Sequence, residues 1–218
     1  MMHYPDIRLQ PIVSLSTHQV FGYEILSVPQ TGADNENRFS QCSNTQLLQL
    51  REWQLATLSS PAMVEKLFVN LTTDILLGED TASYLLHNRI PGVIELQDPQ
   101  ELIKLSDSQL KQLAVHINRL QFCDMEIWVD DYQQEYGSTL HRAGIMFDGV
   151  KIDRFAFQRH RHNASELSSL IREARCFGKY VLVEGVETPE DMETATHAHA
   201  DLAQGFYWPE HTVPAQLS

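Results

Sequence analysis

Val181-Leu182-Val183-Glu184-Gly185-Val186-Glu187 is the stretch on which the reading of this chain turns. Three apolar residues, two of them β-branched, read as a short buried strand. The strand stops on a carboxylate, followed by a glycine and, three positions on, a second carboxylate. A buried strand holds an acid at its end only where a metal, a base or a hydrogen-bond network accepts it. The same design recurs along the chain. Gln19-Val20-Phe21-Gly22-Tyr23-Glu24-Ile25-Leu26 carries Glu24, Leu67-Phe68-Val69-Asn70-Leu71 carries Asn70, and Gly92-Val93-Ile94-Glu95-Leu96 carries Glu95. Met125-Glu126-Ile127-Trp128-Val129-Asp130-Asp131 ends in paired aspartates, and Phe147-Asp148-Gly149-Val150-Lys151-Ile152-Asp153 in Lys151 and Asp153. Leu202-Ala203-Gln204-Gly205 closes the series with an amide.

Helical patterns separate these runs. Leu47, Leu48, Leu50, Leu55 and Leu58 predict a helix up to about residue 59, and short helices follow near 73–77 and 80–87. Leu102, Leu105, Leu110, Leu113, Ile117 and Leu120 form an amphipathic stripe in one or two pieces. A helix through Leu167, Leu170, Ile171 and Ala174 runs to about Gly178, and Pro189 opens the last one. Strands alternating with helices imply parallel strands joined by right-handed crossovers. About eight strands predict an α/β fold, a (β/α)8 TIM-type barrel formed by residues 1–218 as one domain. Its start is atypical. Arg8-Leu9-Gln10-Pro11-Ile12-Val13-Ser14-Leu15 and the strand bearing Glu24 read as an antiparallel hairpin, with Pro11 at an edge or bulge. Residues 29–45 read as a polar loop.

Composition narrows the function. A formal charge of −13 argues against long nucleic acids, which require clustered Lys and Arg. No uninterrupted apolar run approaches the roughly 20 residues of a membrane span, so no membrane partner is expected. Met1-Met2-His3-Tyr4-Pro5-Asp6 lacks the basic and apolar regions of a signal peptide. Cys42, Cys123 and Cys176 are odd in number and widely spaced, which predicts reduced, buried thiols and a cytoplasmic location.

The active site of such a barrel lies at the carboxyl ends of its strands. Glu24, Asn70, Glu95, Asp130, Lys151, Glu184 and Gln204 all stand there, each on a separate strand. Carboxylates gathered at one mouth repel unless cations intervene. An all-oxygen donor set suits Mg²⁺ or Mn²⁺ over zinc. Asp130 and Asp131 can reach two ions, and an ion pair about 3.5–4 Å apart clamps an in-line displacement at phosphorus. Lys151 can orient water or neutralise a phosphate oxygen, and Glu184 can take the proton of water. Individually each has a plainer role: Asn70 as a turn residue, Lys151 and Asp153 as a rim ion pair, Glu187 as a first-turn helix acid. The i, i+2 spacing of His160 with His162 and of His197 with His199 turns the rings apart, so zinc has little support.

Taken in order, these motifs resemble the bacterial EAL domain, the family of cyclic-di-GMP phosphodiesterases. Gln10-Pro11-Ile12, Gly22-Tyr23-Glu24-Ile25-Leu26 (with Ile25 for the usual alanine), Phe68-Val69-Asn70-Leu71, Glu95-Leu96, Asp130-Asp131, Lys151-Ile152-Asp153, Glu184-Gly185-Val186-Glu187 and Gln204-Gly205-Phe206 carry the match. The resemblance implies a barrel with an antiparallel strand near its start. It implies metal ligation by Glu24, Asn70, Glu95, Asp130 and Asp131, Glu184 as base, and Lys151 holding water. Gln10, Leu26, Asp153, Glu187 and Gln204 would bind or support substrate. The implied reaction opens one phosphodiester of cyclic-di-GMP to give the linear dinucleotide.

Four departures leave an alternative open, a weak or inactive regulator that binds cyclic-di-GMP or a protein partner. Val28 stands where the family has an arginine gripping a substrate phosphate. The family's glycine-rich loop, tied to metal binding and dimerisation, reads Tyr132-Gln133-Gln134-Glu135-Tyr136-Gly137-Ser138. A positive φ there would strain Gln and Glu. Asp98 takes the place of a longer glutamate that braces this loop, and Pro209-Glu210-His211 replaces the usual glycine-arginine-proline. A homodimer and a protein partner stay open.

Overall fold

The computed structural model describes residues 6–28, 43–58, 66–87 and 92–214. Among the described residues nine strands lie in one sheet. They are β1 (Ile7–Ser14), β2 (Val20–Ser27), β3 (Lys66–Leu71), β4 (Val93–Leu96), β5 (Ile127–Tyr132), β6 (Phe147–Ile152), β7 (Gly178–Val183), β8 (Leu202–Gln204) and β9 (His211–Val213). The sheet runs β2-β3-β4-β5-β6-β7-β8-β1 and closes through a β1–β2 pairing, while β9 adds to β1 outside the ring. From β2 to β8 neighbouring strands are parallel, whereas β1 is antiparallel to both β2 and β8. This is the mixed eight-stranded barrel that the hairpin predicted.

Helices pack around the ring: α1 (Asn44–Leu58), α2 (Thr73–Leu77), α3 (Thr81–His87), α4 (Asp107–Phe122), α5 (Gly137–Ala143), α6 (Arg154–His160), α7 (Ala164–Ala174) and α8 (Pro189–His197). The leucine stripe after residue 100 does divide, into a 3-10 turn (Pro99–Lys104) and α4. Ser106 separates them because its side chain and that of Gln109 form a reciprocal capping box. Most of the loop expected over 29–45 lies outside the described residues. Its last two positions belong to α1, since Ser43 and Gln46 exchange hydrogen bonds at the helix start. Three short elements, α5, α6 and β9, went unpredicted.

Pro11 is not at an edge, because β1 pairs on both sides. Proline is tolerated there because it falls between Leu9, paired with β9, and Ile12, paired with β8, one residue before a bulge at Ile12/Val13. The cysteines also differ from expectation. Cys123 and Cys176 are free but exposed, while Cys42 lies outside the described residues.

The barrel interior is built in two storeys. Ile12, Phe68, Val93, Trp128, Leu182 and Leu202 form an apolar floor. Two residues further toward the mouth on the same strands stand Gln10, Asn70, Glu95, Asp130, Glu184 and Gln204 (on β1 the chain runs the opposite way). The period of two in a strand therefore puts each polar group directly above an apolar one. In the floor the Trp128 indole stacks on Tyr180 at 6.0 Å and meets Phe68 edge-on at 5.2 Å. Gly149 makes room for that indole: a Cβ there would stand 2.3 Å from it. Gly149→Ala is expected to cost about 1–3 kcal/mol by overpacking, read as a fall in the urea midpoint.

Candidate metal and phosphoryl-transfer site

The second storey is a ring of acids around one ammonium. Lys151 is wholly buried, and its Nζ lies 3.0 Å from Glu24, 3.1 Å from Glu95, 2.9 Å from Asp130 and 2.9 Å from Glu184. Glu24 also accepts from Asn70 Nδ2 at 2.8 Å and from Gln204 Nε2 at 2.6 Å, and Gln204 Nε2 donates to Gln10 Oε1 at 2.8 Å. Seven strand-end residues from seven strands thus meet at one mouth, together with Gln10 from β1.

Asp130 and Asp131 reach the site together through a local irregularity. In a regular strand consecutive side chains point to opposite faces. Here the β5–β6 register shifts between Val129 and Tyr132, and Asp131 adopts a left-handed φ of 49°. Aspartate tolerates that conformation better than most residues, and such bulges re-aim side chains beside active sites. Asp131 becomes a neighbour of Asp130 and Glu184, with one carboxylate oxygen of each within 4.8 Å of the others.

The strain that a positive φ would bring to the altered loop does not arise at Gln133, whose φ is −126°, and the left-handed residue beside it is Asp131. The segment is tied down by the Tyr132 hydroxyl, which donates to Glu173 on α7 at 2.8 Å. Asp98 is placed differently from its expected role. Its Oδ1 accepts from the Thr73 backbone N–H at 2.7 Å and hydroxyl at 2.8 Å, so its hydrogen bonds hold the start of α2.

Other expected residues lie around the ring. Asp153 is buried and caps α6, accepting from the N–H groups of Phe155 and Ala156. Glu187 is exposed, on the rim of a cleft of about 190 Å³ that it shares with Glu184, Gln10 and Gln204. Leu26 pairs with Arg8 across the β1–β2 ladder.

Sequence reasoning missed several contributors. Arg51 on α1 donates from Nε to the Asn70 carbonyl at 3.0 Å, fixing the end of β3. Asp191 accepts from the backbone N–H groups of Glu187 and Thr188 and pairs with Arg161 at 3.0 Å. The signal for Asp191 was present as Thr188-Pro189-Glu190-Asp191, a capping box with proline at the first helical position. The histidines are engaged elsewhere, His160 with Glu166 and His197 with the Glu193 carbonyl.

Burial and mutual repulsion set the charges. Desolvation raises Glu95 well above the carboxylate range, against the pull of Lys151 and with the push of Glu24 and Asp130. Burial and the neighbouring Asp130 push Asp131 up to about 7. Burial likewise lifts Glu184 to about 8, with Lys151 opposing and Asp130 adding to the rise. Glu24 goes the other way: burial would raise it, but Lys151 and the bonds from Gln204 and Asn70 hold it low. Burial would lower Lys151, yet its four carboxylate neighbours raise it.

A carboxyl raised on folding contributes stability below its unfolded pKa, and loses that contribution as pH rises through the folded value. Without metal, the melting temperature is therefore expected to fall between about pH 5 and about pH 8, the value reached by Glu184. Saturating Mn²⁺ should flatten that fall, because metal binding favours the deprotonated ligands. Scanning calorimetry at four or five pH values, with chelator and with Mn²⁺, reads both trends.

The residues fit a hard divalent ion. Among the described residues, Asn70 Oδ1 and Glu95 Oε2 are buried with no hydrogen bond, while Glu95 Oε1 and Asp130 Oδ1 have only the Lys151 ammonium beside them, which leaves strong acceptors at the cavity. The acids form two ligand groups, Glu24–Glu95–Asp130 and Asp130–Asp131–Glu184, and Asp130 belongs to both.

The EAL domain family model matches residues 6–210. A curated relative, the cyclic di-GMP phosphodiesterase TpdA of Vibrio parahaemolyticus, is 24% identical over 214 residues. The match covers 94% of this chain, which spans only 37% of TpdA. The manganese/cyclic-di-GMP complex of Klebsiella pneumoniae BlrP1 superposes with a TM-score of 0.77 at 22% identity, covering 99% of this chain and 60% of that one. The FimX EAL domain of Pseudomonas aeruginosa bound to c-di-GMP gives 0.72 at 20% identity, covering 92% and 88%. The order of the motifs, the antiparallel first strand and a family match over nearly the whole length agree, and the chain belongs to the EAL domain family.

Proposed function

We propose that this chain hydrolyses cyclic-di-GMP to the linear dinucleotide, and so lowers second-messenger signalling in the cytoplasm. The observation that carries the reading is the pair of carboxylate groups sharing Asp130, with Glu184 in one of them, at the mouth of an EAL barrel. Glu24, Glu95 and Asp130 would hold one Mg²⁺ or Mn²⁺ ion, with Asn70 Oδ1 at hand, and Asp130, Asp131 and Glu184 a second. Bound there, such ions supply Lewis-acid stabilisation of charge on phosphate oxygens and lower the pKa of water.

The protein's own groups do the rest. Glu184, held near neutrality by its surroundings, takes the proton of the attacking water. Water oxygen bonds to phosphorus as one ester P–O bond breaks, and the leaving sugar oxygen receives a proton. Lys151 keeps the carboxylates from forcing one another apart and presents a fixed positive charge beneath the reacting phosphate. Gln10 and Gln204, bonded to each other, orient Glu24 and floor the cleft.

Incubation of the purified chain with cyclic-di-GMP and Mn²⁺ or Mg²⁺ should yield linear dinucleotide by chromatography, and chelator should stop it. A second reading, binding without hydrolysis, is favoured by Val28 and the altered segment 132–138. It predicts tight, metal-independent calorimetric binding with no product.

A further inference from the structure

The cleft over the acid ring contains two arginines, Arg8 and Arg154, that none of the motifs assigned to substrate. Arg8 owes its position to the reversed direction of β1. Along this strand the chain climbs the inner wall from Ile12 on the floor, through Gln10 in the ring, to Arg8 at the rim. Across the ladder Gln10 faces Glu24 and Arg8 faces Leu26. Val28 is one same-face step beyond Leu26, its N–H donating to the Asp6 carbonyl at 2.9 Å. Residues on such a diagonal lie about 7–8 Å apart, within the span of an arginine side chain. The position that Val28 leaves uncharged is therefore next to a guanidinium arriving from the opposite strand.

That guanidinium is oriented but not satisfied. Glu210 Oε2 lies 3.5 Å from Arg8 Nε, yet among the described residues Nε has no hydrogen-bond partner, and neither has Glu210 Oε1. A buried, charged N–H lacking an acceptor favours an anionic oxygen, and arginine can grip phosphate through two parallel bonds. The need for such a cation is plain. Lys151 is surrounded by four carboxylates, and Glu184, Glu187 and Glu210 all line the cleft. Arg154 is less suited, since it is exposed at the start of α6 with its guanidinium 4.5 Å over the Phe155 ring.

We propose that Arg8, oriented by Glu210, is the residue of this chain that grips a substrate phosphate, replacing the charge absent at Val28. The inference rests on the hydrolase reading above. Because Arg8 would bind a phosphate already charged in the ground state, its loss should act on KM more than on kcat. Arg8→Ala is expected to raise KM for cyclic-di-GMP by about ten- to a hundredfold with kcat within about threefold. Val28→Arg introduced into that variant should recover most of the loss, which a merely structural role for Arg8 would not allow. Arg154→Ala should change KM by less than about threefold.

An Arg8→Ala variant with unchanged KM, an absence of rescue by Val28→Arg, or a larger loss in Arg154→Ala would overturn the assignment. No turnover by the unaltered chain would contradict the hydrolase reading instead. The same variants compared by calorimetric dissociation constants for cyclic-di-GMP would then decide Arg8 separately.

Discussion

Glu184→Gln is expected to lower the turnover of cyclic-di-GMP by about a thousandfold while leaving the fold intact. Glutamine keeps the size of the side chain and an oxygen for the Lys151 ammonium, which lies 2.9 Å from Glu184 Oε1. It removes a group that can accept a proton near neutrality, and with it the carboxylate that Glu184 contributes to the second ligand group. Burial and the neighbouring acids have already moved Glu184 to about 8, so its charged form is costly in the metal-free protein. The neutral glutamine should therefore hold or raise the metal-free melting temperature at pH 8. Chromatographic turnover and calorimetric melting on the same preparation separate the two effects. A loss of turnover smaller than about tenfold would remove Glu184 from the role of base.

Lys151→Met should produce the largest loss of stability. Methionine fills a similar volume, but it leaves Glu24, Glu95, Asp130 and Glu184 facing one another without the ammonium that pairs with all four. Removing one partner of a buried ionic cluster commonly costs about 3–5 kcal/mol, because the remaining charges are neither paired nor solvated. That cost is expected in urea unfolding at pH 8 with chelator present. It should shrink as pH is lowered and the acids take up protons, and shrink again with Mn²⁺. Equal stability of variant and parent in chelator would show that Lys151 does not hold the ring together.

Much of this site was legible in the chain because two periodicities coincide in it. Alternation within each strand placed Asn70 above Phe68, Asp130 above Trp128 and Glu184 above Leu182, and the repeated strand–helix pattern brought the strand ends to one mouth. What escaped the sequence depended on direction or on local backbone geometry. Arg8 reads as an ordinary hairpin residue until the register sets it opposite Leu26 at the rim of the cleft. The shared orientation of Asp130 and Asp131 comes from a bulge and a left-handed aspartate, which composition does not announce. The tether of segment 132–138 joins Tyr132 to Glu173, residues 41 positions apart with no common motif. Asp98 was read by its place in the family pattern, whereas its short side chain reaches Thr73.

Titration of the metal-free chain with Mn²⁺ by calorimetry tests the central claim, that these strand ends form a divalent-metal centre, most directly. The expected result is saturable binding with proton release, weakened at least about tenfold by Asp130→Asn, since that carboxylate belongs to both ligand groups. No saturable binding up to millimolar Mn²⁺, or equal affinity in Asp130→Asn, would contradict it.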